Sequence, residues 1–176
     1  MQGHRASLAD AASAGRGPLA PMLRRPDWPE RLNAYVAAPV RFAWGEADCC
    51  LWACGGVAAM TGIDPAAWFR GRYRDQPGAE AALRAFAGVA SLGGNPDNAG
   101  QAGLILAVRK LARQFGKNEV PPLQAQRGDL VLCEGREMAA ARLDALGLCV
   151  GPQAVVLTPS GRRFVPLRRA VAAWRI

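Results

Sequence analysis

The sequence predicts an α+β domain, with buried helices in its N-terminal half packed on a small antiparallel sheet in its C-terminal third. Three observations carry this expectation. Residues 49–61 are small or apolar on every face, as a buried central helix requires. Segments with helical periodicity and capping residues flank it. After residue 128, short apolar runs alternate with Gly- and Pro-containing turns, as strands do. Helices first and strands after point to an antiparallel sheet set apart from the helices. The 176 residues fit one domain, and with 51% of them apolar they suffice for one core.

The elements follow in chain order. Residues 1–25 are rich in Gly, Ala, Ser, Pro and Arg and read as a flexible or extended arm. The domain proper is expected over 26–176. Asp27 caps a first helix with Pro29 in its first turn. Trp28, Leu32, Tyr35 and Val36 share one face, and Pro39 ends the element. A turn through Phe42, Trp44 and Gly45 then leads to Asp48, an N-cap residue, and to the central helix from Cys49 to Thr61. Gly62 is its stop. Residues 64–87 read as short helices, one opened by Asp64-Pro65 and another from Glu80 to Phe86. Residues 90–103 read as a Gly/Asn loop, and 104–115 as an amphipathic helix. Strands are expected at 128–133, 146–150, 154–158 and 163–167. Pro159-Ser160-Gly161 is the turn between the last two.

The formal charge is +8, and all but two of the 22 basic residues are arginine. Such a balance suits an acidic partner, nucleic acid included. The arginines are scattered until Asp144. After it stand Arg162, Arg163, Arg168, Arg169 and Arg175 with no acid, which makes these five the candidates for partner contact. No zinc-finger or helix-turn-helix pattern accompanies them. No run of 18 apolar residues exists, so no membrane-spanning segment is expected. Residues 1–17 carry His4, Arg5, Asp10 and Arg16 without an apolar h-region, so no signal peptide is expected.

Five cysteines, an odd number, argue against a disulfide framework. Cys50 and Cys54 lie four apart and share a helix face. Cys133 and Cys149 fall on strands that can pack against that helix. Four thiolates would suit zinc or an iron–sulfur cluster. The usual Cys-x-x-Cys spacing is absent, however, and an all-apolar helix accounts for the thiols as core. No cofactor is expected.

A buried helix with cysteine in its first turn, followed by a small antiparallel sheet, resembles the papain-like amidases, and within them the NlpC-like cell-wall peptidases. Trp44-Gly45 before Asp48-Cys49 matches their aromatic-Trp-Gly turn before Asp-Cys. Gly128-Asp129-Leu130-Val131 matches their Gly-Asp-hydrophobic strand. The strand that carries their catalytic histidine aligns with Ala145-Leu146-Gly147-Leu148. Trp28 with Arg31-Leu32 and Tyr35, Trp44-Gly45 with Asp48-Cys49, Thr61-Gly62-Asp64-Pro65, Arg70-Gly71-Tyr73, Gly128-Asp129 and the closing Ala173-Trp174-Arg175 come in an order that also resembles an uncharacterised family encoded among phage tail genes, near the tail-tip components.

The resemblance implies a nucleophile position at Cys49, a helix cap at Asp48, a turn at Trp44 and Gly45, and a histidine position occupied by Ala145. A thiolate at a helix N-terminus is favoured by free amides and the dipole. Peptide cleavage also needs a general base beside the sulfur, and alanine carries no proton. The sole histidine, His4, lies in the arm. Asp129 or Glu134 in its place would oppose thiolate formation. Loss of a base costs about 10²–10⁴-fold in rate. Cys49 is therefore expected as a vestigial nucleophile or a packing residue.

The expected function is a structural component of a phage or phage-like tail, at the tip or in the lumen. It would be made in the host cytoplasm and carried in the virion as part of a large assembly, with tail proteins and DNA as partners. An active cysteine peptidase acting on peptidoglycan is the first alternative. A basic nucleic-acid-binding protein is the second.

Overall fold

The computed structural model describes residues 21–88, 96–133 and 144–176, with 96–102 as backbone only. Among the described residues four helices precede the sheet: α1 (Trp28–Ala37), α2 (Cys49–Thr61), α3 (Gln76–Ala87) and α4 (Pro96–Gln114). Six strands follow: β1 (Glu119–Val120), β2 (Leu130–Cys133), β3 (Ala145–Cys149), β4 (Gln153–Thr158), β5 (Gly161–Pro166) and β6 (Ala170–Trp174). They form one sheet in the order β1-β6-β2-β3-β4-β5, with every pairing antiparallel. The α+β expectation holds.

The central helix runs over the expected residues. Asp48 caps α2, and Gly62, at φ 82°, closes it in the left-handed conformation. Leu51, Trp52, Cys54, Val57 and Met60 are buried along it. Each such large apolar side chain contributes about 1.5–3 kcal/mol. Two glycines let neighbours come close. A Cβ at Gly56 would lie 2.3 Å from Leu148 Cδ1 on β3, and one at Gly55 would lie 2.3 Å from the Tyr35 hydroxyl. Tyr35 donates from α1 to the Trp52 carbonyl at 2.7 Å. The glycines that look like helix breakers are thus the points where α1 and β3 touch α2.

The sheet is apolar on both faces. Leu130, Leu132, Leu146, Leu148, Val155, Leu157 and Trp174 face the helices. Val131, Cys133, Ala145, Cys149, Ala154, Val156, Val165 and Ala173 form a second layer. Short 3₁₀ turns at Pro122–Gln124 and Leu167–Arg169 meet each other and help to cover that layer. Two-sided burial explains why β2 and β3 read as continuous apolar runs rather than alternating ones.

Several boundaries differ from expectation. The packed chain begins before residue 26. Met22 is 2% exposed, Lys117 donates to its carbonyl at 2.6 Å, and Arg24 stacks on the Trp28 ring at 4.4 Å. The expected arm 1–25 therefore shortens, and residues 1–20 lie outside the described residues. Asp27 makes no side-chain cap bond and instead pairs with Arg31 at 2.8 Å. Asp64-Pro65 opens a run of turns rather than a helix. The helix expected at 104–115 starts earlier, at Pro96, so part of the expected 90–103 loop is helical. Proline is favoured in the first turn, and the helix runs through Asn98, Gly100 and Gly103 despite their low propensity. Residues 90–95 of that loop lie outside the described residues. Strand β6 reads in sequence as an alanine-rich segment of poor strand propensity. It forms because it lies between β1 and β2 and pairs with both.

Candidate functional site

The site is the turn before α2, the first turn of α2 and the start of β3. Gly45 has φ 76°, and a Cβ there would sit 1.9 Å from the Tyr73 carbonyl oxygen, so only glycine fits. Trp44 packs edge-on against Phe42, with ring centroids 5.0 Å apart. The tight turn aims the Gly45 N–H at Asp48.

Asp48 is 1% exposed and serves four donors. Its Oδ1 accepts from Cys50 N at 3.1 Å and Leu51 N at 3.0 Å. Its Oδ2 accepts from Gly45 N at 3.1 Å and the Tyr73 hydroxyl at 2.7 Å. A carboxylate has about four lone-pair positions, so its acceptor capacity is filled. Burial pushes the Tyr73 hydroxyl well above the usual tyrosine range, and the Asp48 charge adds to this. Tyr73 therefore stays protonated and keeps donating. Arg70 secures the same corner from outside, donating to the Leu51 and Glu46 carbonyls and pairing with Asp64.

Cys49 opens α2 and is partly buried. It packs against the second layer of the sheet, which contains Ala145. It also borders a mostly apolar cavity between α2, α3, α4 and β3, of about 80 Å³. Gln76, Glu80 and Tyr73 reach that cavity. Alternation along β3 puts Asp144 and Leu146 on the cavity side, while Ala145, 2% exposed, lies in the second layer. Among the described residues, the titratable groups bordering the cavity beside Cys49 are carboxyls, thiols and one phenol. The position aligned with a catalytic histidine is a buried methyl group. The sole histidine, His4, and the alternative base Glu134 lie outside the described residues.

The other base considered, Asp129, belongs to the far end of the sheet. It precedes β2 by one residue, whereas Cys133, paired with Ala145, ends it. Four residues of strand span about 13 Å. Asp129 is 0% exposed and committed there to Arg24 Nη2 at 2.7 Å. It also accepts from Gln126 N at 2.8 Å and Ile176 N at 3.2 Å. Arg175 Nε lies 3.1 Å from Asp129 Oδ2 without hydrogen-bond alignment, so that contact is ionic.

The thiols do not assemble as a group of four. Cys54 faces the helix-side core, while Cys133 and Cys149 lie in the opposite layer of the sheet. The expectation that both strand cysteines pack against α2 is corrected by the strand's period of two. Burial pushes the Cys54 thiol up and the Cys133 thiol up to about 12. Burial also raises Cys149. Cys50 is raised well above the thiol range by its contact with the Cys49 sulfur and by burial. Such thiols stay protonated at neutral pH and are poor nucleophiles.

The candidate contact arginines divide. Arg163, Arg168 and Arg169 are exposed and Arg162 is partly so. Arg162 and Arg163 lie on the edge strand β5, next to Phe164, which is 57% exposed. Arg175 is corrected to a structural role, since it pairs with Asp129 and donates to the Gln124 carbonyl at 3.0 Å. Tyr73 was missed as a site residue. Only Arg70-Gly71-Tyr73 in the family resemblance pointed toward it, because its partner Asp48 is 25 residues away. Among the described residues no helix is long and apolar enough to cross a membrane.

A family model described as "Domain of unknown function (DUF6950)" matches residues 23–176. No curated protein and no solved structure matches the chain.

Proposed function

The chain belongs to the DUF6950 family, whose function is unknown, and from that premise we propose that it is a structural component of a bacteriophage or phage-like tail, at the tip or in the lumen, built on an NlpC-like fold that no longer catalyses. The observation that carries the non-catalytic part is Ala145. The strand position that the resemblance assigns to the general base holds a buried methyl group, in the sheet layer against which the cysteine of the capped helix start packs. Elaborate support for that helix start, with Asp48 filled by four donors, is what a rigid scaffold needs as much as an enzyme does.

The tail assignment draws on the resemblance of the features from Trp28 to Trp174 to proteins encoded among tail genes. The exposed arginines Arg163 and Arg168, and Phe164, exposed next to Arg163 on β5, suit contact with neighbouring subunits. On this reading the chain is made in the host cytoplasm and carried in the virion. Gold-labelled antibody on purified particles is expected to mark the tail at one end, and deletion of the gene is expected to yield tails that are absent or unfinished. Complete, infectious particles without the chain would overturn the assignment.

A second reading is favoured by one observation, the cavity that Cys49 borders. A cavity beside a helix-start cysteine is the setting of a thiol hydrolase acting on peptidoglycan stem peptides.

A further inference from the structure

The first turn of α2 holds a feature that the tail reading does not use. Cys49 and Cys50 are adjacent, and their sulfurs lie 3.7 Å apart at the edge of the cavity. The two sulfurs and an Asp48 carboxylate oxygen all lie within 4.8 Å of one another, the cluster of metal-ligand atoms found among the described residues.

Two chemistries are open to such a pair, and geometry separates them. A disulfide needs the sulfurs at about 2.05 Å and Cα atoms usually at least about 4.4 Å apart. Successive Cα atoms are only about 3.8 Å apart, and both residues here are helical. Closing the bond would open the first turn and pull Cys50 N and Leu51 N from Asp48. Chelation needs no such movement. Two thiolates held at about 2.3 Å from one tetrahedral ion lie about 3.8 Å apart, close to the observed separation. An ion that demands two thiolates in a straight line would hold them at about 4.6 Å, taking the same bond length, and fits less well.

We propose that Cys49 and Cys50 form a two-thiolate site for a single zinc-class cation, with its open coordination positions facing the cavity between α2, α3 and α4. Two sulfur–metal bonds form, and the two thiol protons pass to solvent. Soft sulfur donors select zinc-class ions over magnesium or calcium. Metal binding itself deprotonates a coordinating thiol, so the protonated state of the free thiols does not prevent it. Asp48 does not ligate, because both its oxygens are filled by the Gly45, Cys50, Leu51 and Tyr73 donors. It fixes the turn from which both sulfurs project. Water on the cavity side would complete the coordination, in a cavity that Glu80 and Asp144 also line.

The inference is independent of the tail assignment. Its test uses the reduced full-length chain, stripped with chelator and titrated with Zn²⁺ and, separately, Co²⁺. One ion per chain is expected, with sulfur-to-cobalt charge-transfer absorption in the near ultraviolet. Cys50→Ser is expected to weaken binding by more than about 100-fold, beyond what an indirect partner of a metal ligand contributes. Cys54→Ser is expected to leave it unchanged. In the wild-type chain, Zn²⁺ is expected to protect Cys49 and Cys50 together from iodoacetamide, a readout that needs no variant to fold. Saturable binding that survives Cys49→Ser/Cys50→Ser, no saturable binding, or no protection would overturn the proposal.

Discussion

Asp48→Ala is expected to lower the unfolding free energy by about 3–5 kcal/mol, much of the roughly 5–15 kcal/mol that holds a typical domain together. The substitution removes the acceptor for Gly45 N, Cys50 N, Leu51 N and the Tyr73 hydroxyl at once. A buried donor left without a partner costs about 1–3 kcal/mol, and loss of an N-cap alone costs about 1 kcal/mol. Water entering the adjacent cavity satisfies part of the deficit, which keeps the total below the simple sum. Asp48→Asn is expected to fall about halfway. Its oxygen can still cap α2, and Tyr73 can rotate to accept from the amide, but Gly45 N then faces a donor. Urea unfolding followed by tryptophan fluorescence measures all three chains. A loss below about 1 kcal/mol for Asp48→Ala would mean that the cap and the turn are held by something else.

Asp129→Ala is expected to cost a similar amount, about 3–5 kcal/mol, by a different route. Removing one partner of a buried ion pair leaves the other charge uncompensated. Here two guanidinium groups, Arg24 and Arg175, lose the same carboxylate, and Gln126 N and Ile176 N lose an acceptor. Burial pushes Arg24 below the usual arginine range, and Asp129 is what opposes that shift. Asp129 ties the start of β2 to both the N-terminal segment and the C-terminus. Hydrogen exchange is therefore expected to speed up at residues 22–28 and 174–176 together, ahead of α2. Screening by salt acts weakly on a fully buried carboxylate, so added NaCl is expected to change the loss little. Exchange that quickens uniformly through the sheet would show that Asp129 supports the core rather than the two termini.

Much of this was legible in the sequence, for definable reasons. The span of α2 could be read because its signals are local: Asp48 at one end, Gly62 at the other, and no polar side between. Strands β2 to β4 could be read because each is a short apolar run bounded by Gly, Pro or Asp, and β5 because the Pro159-Ser160-Gly161 turn opens it. Strand β6 and the first two turns of α4 could not, because Ala-Val-Ala-Ala and Pro-Asp-Asn-Ala-Gly have local preferences that run against the elements they form. The site was legible where it depends on neighbours in sequence, as with the Gly45 turn and the Asp48 cap. It was hidden where it depends on the sheet. Which side of β3 faces the cavity decides that Asp144, and not Ala145, borders it. Which layer holds Cys133 and Cys149 decides that they cannot join Cys50 and Cys54. A one-residue change of phase reverses both statements. The pairing of Cys49 with Cys50 was visible as a dipeptide, but its meaning rests on the sulfur separation.

The central proposal is that the helix-start cysteine stands in a peptidase-like scaffold without its chemistry. Hydrolysis of purified peptidoglycan stem peptides, followed by mass spectrometry for the wild-type chain and Cys49→Ser side by side, tests it most directly. The account predicts no product from the wild-type chain above the level of Cys49→Ser. Turnover by the wild-type chain that disappears in a folded Cys49→Ser variant would contradict it.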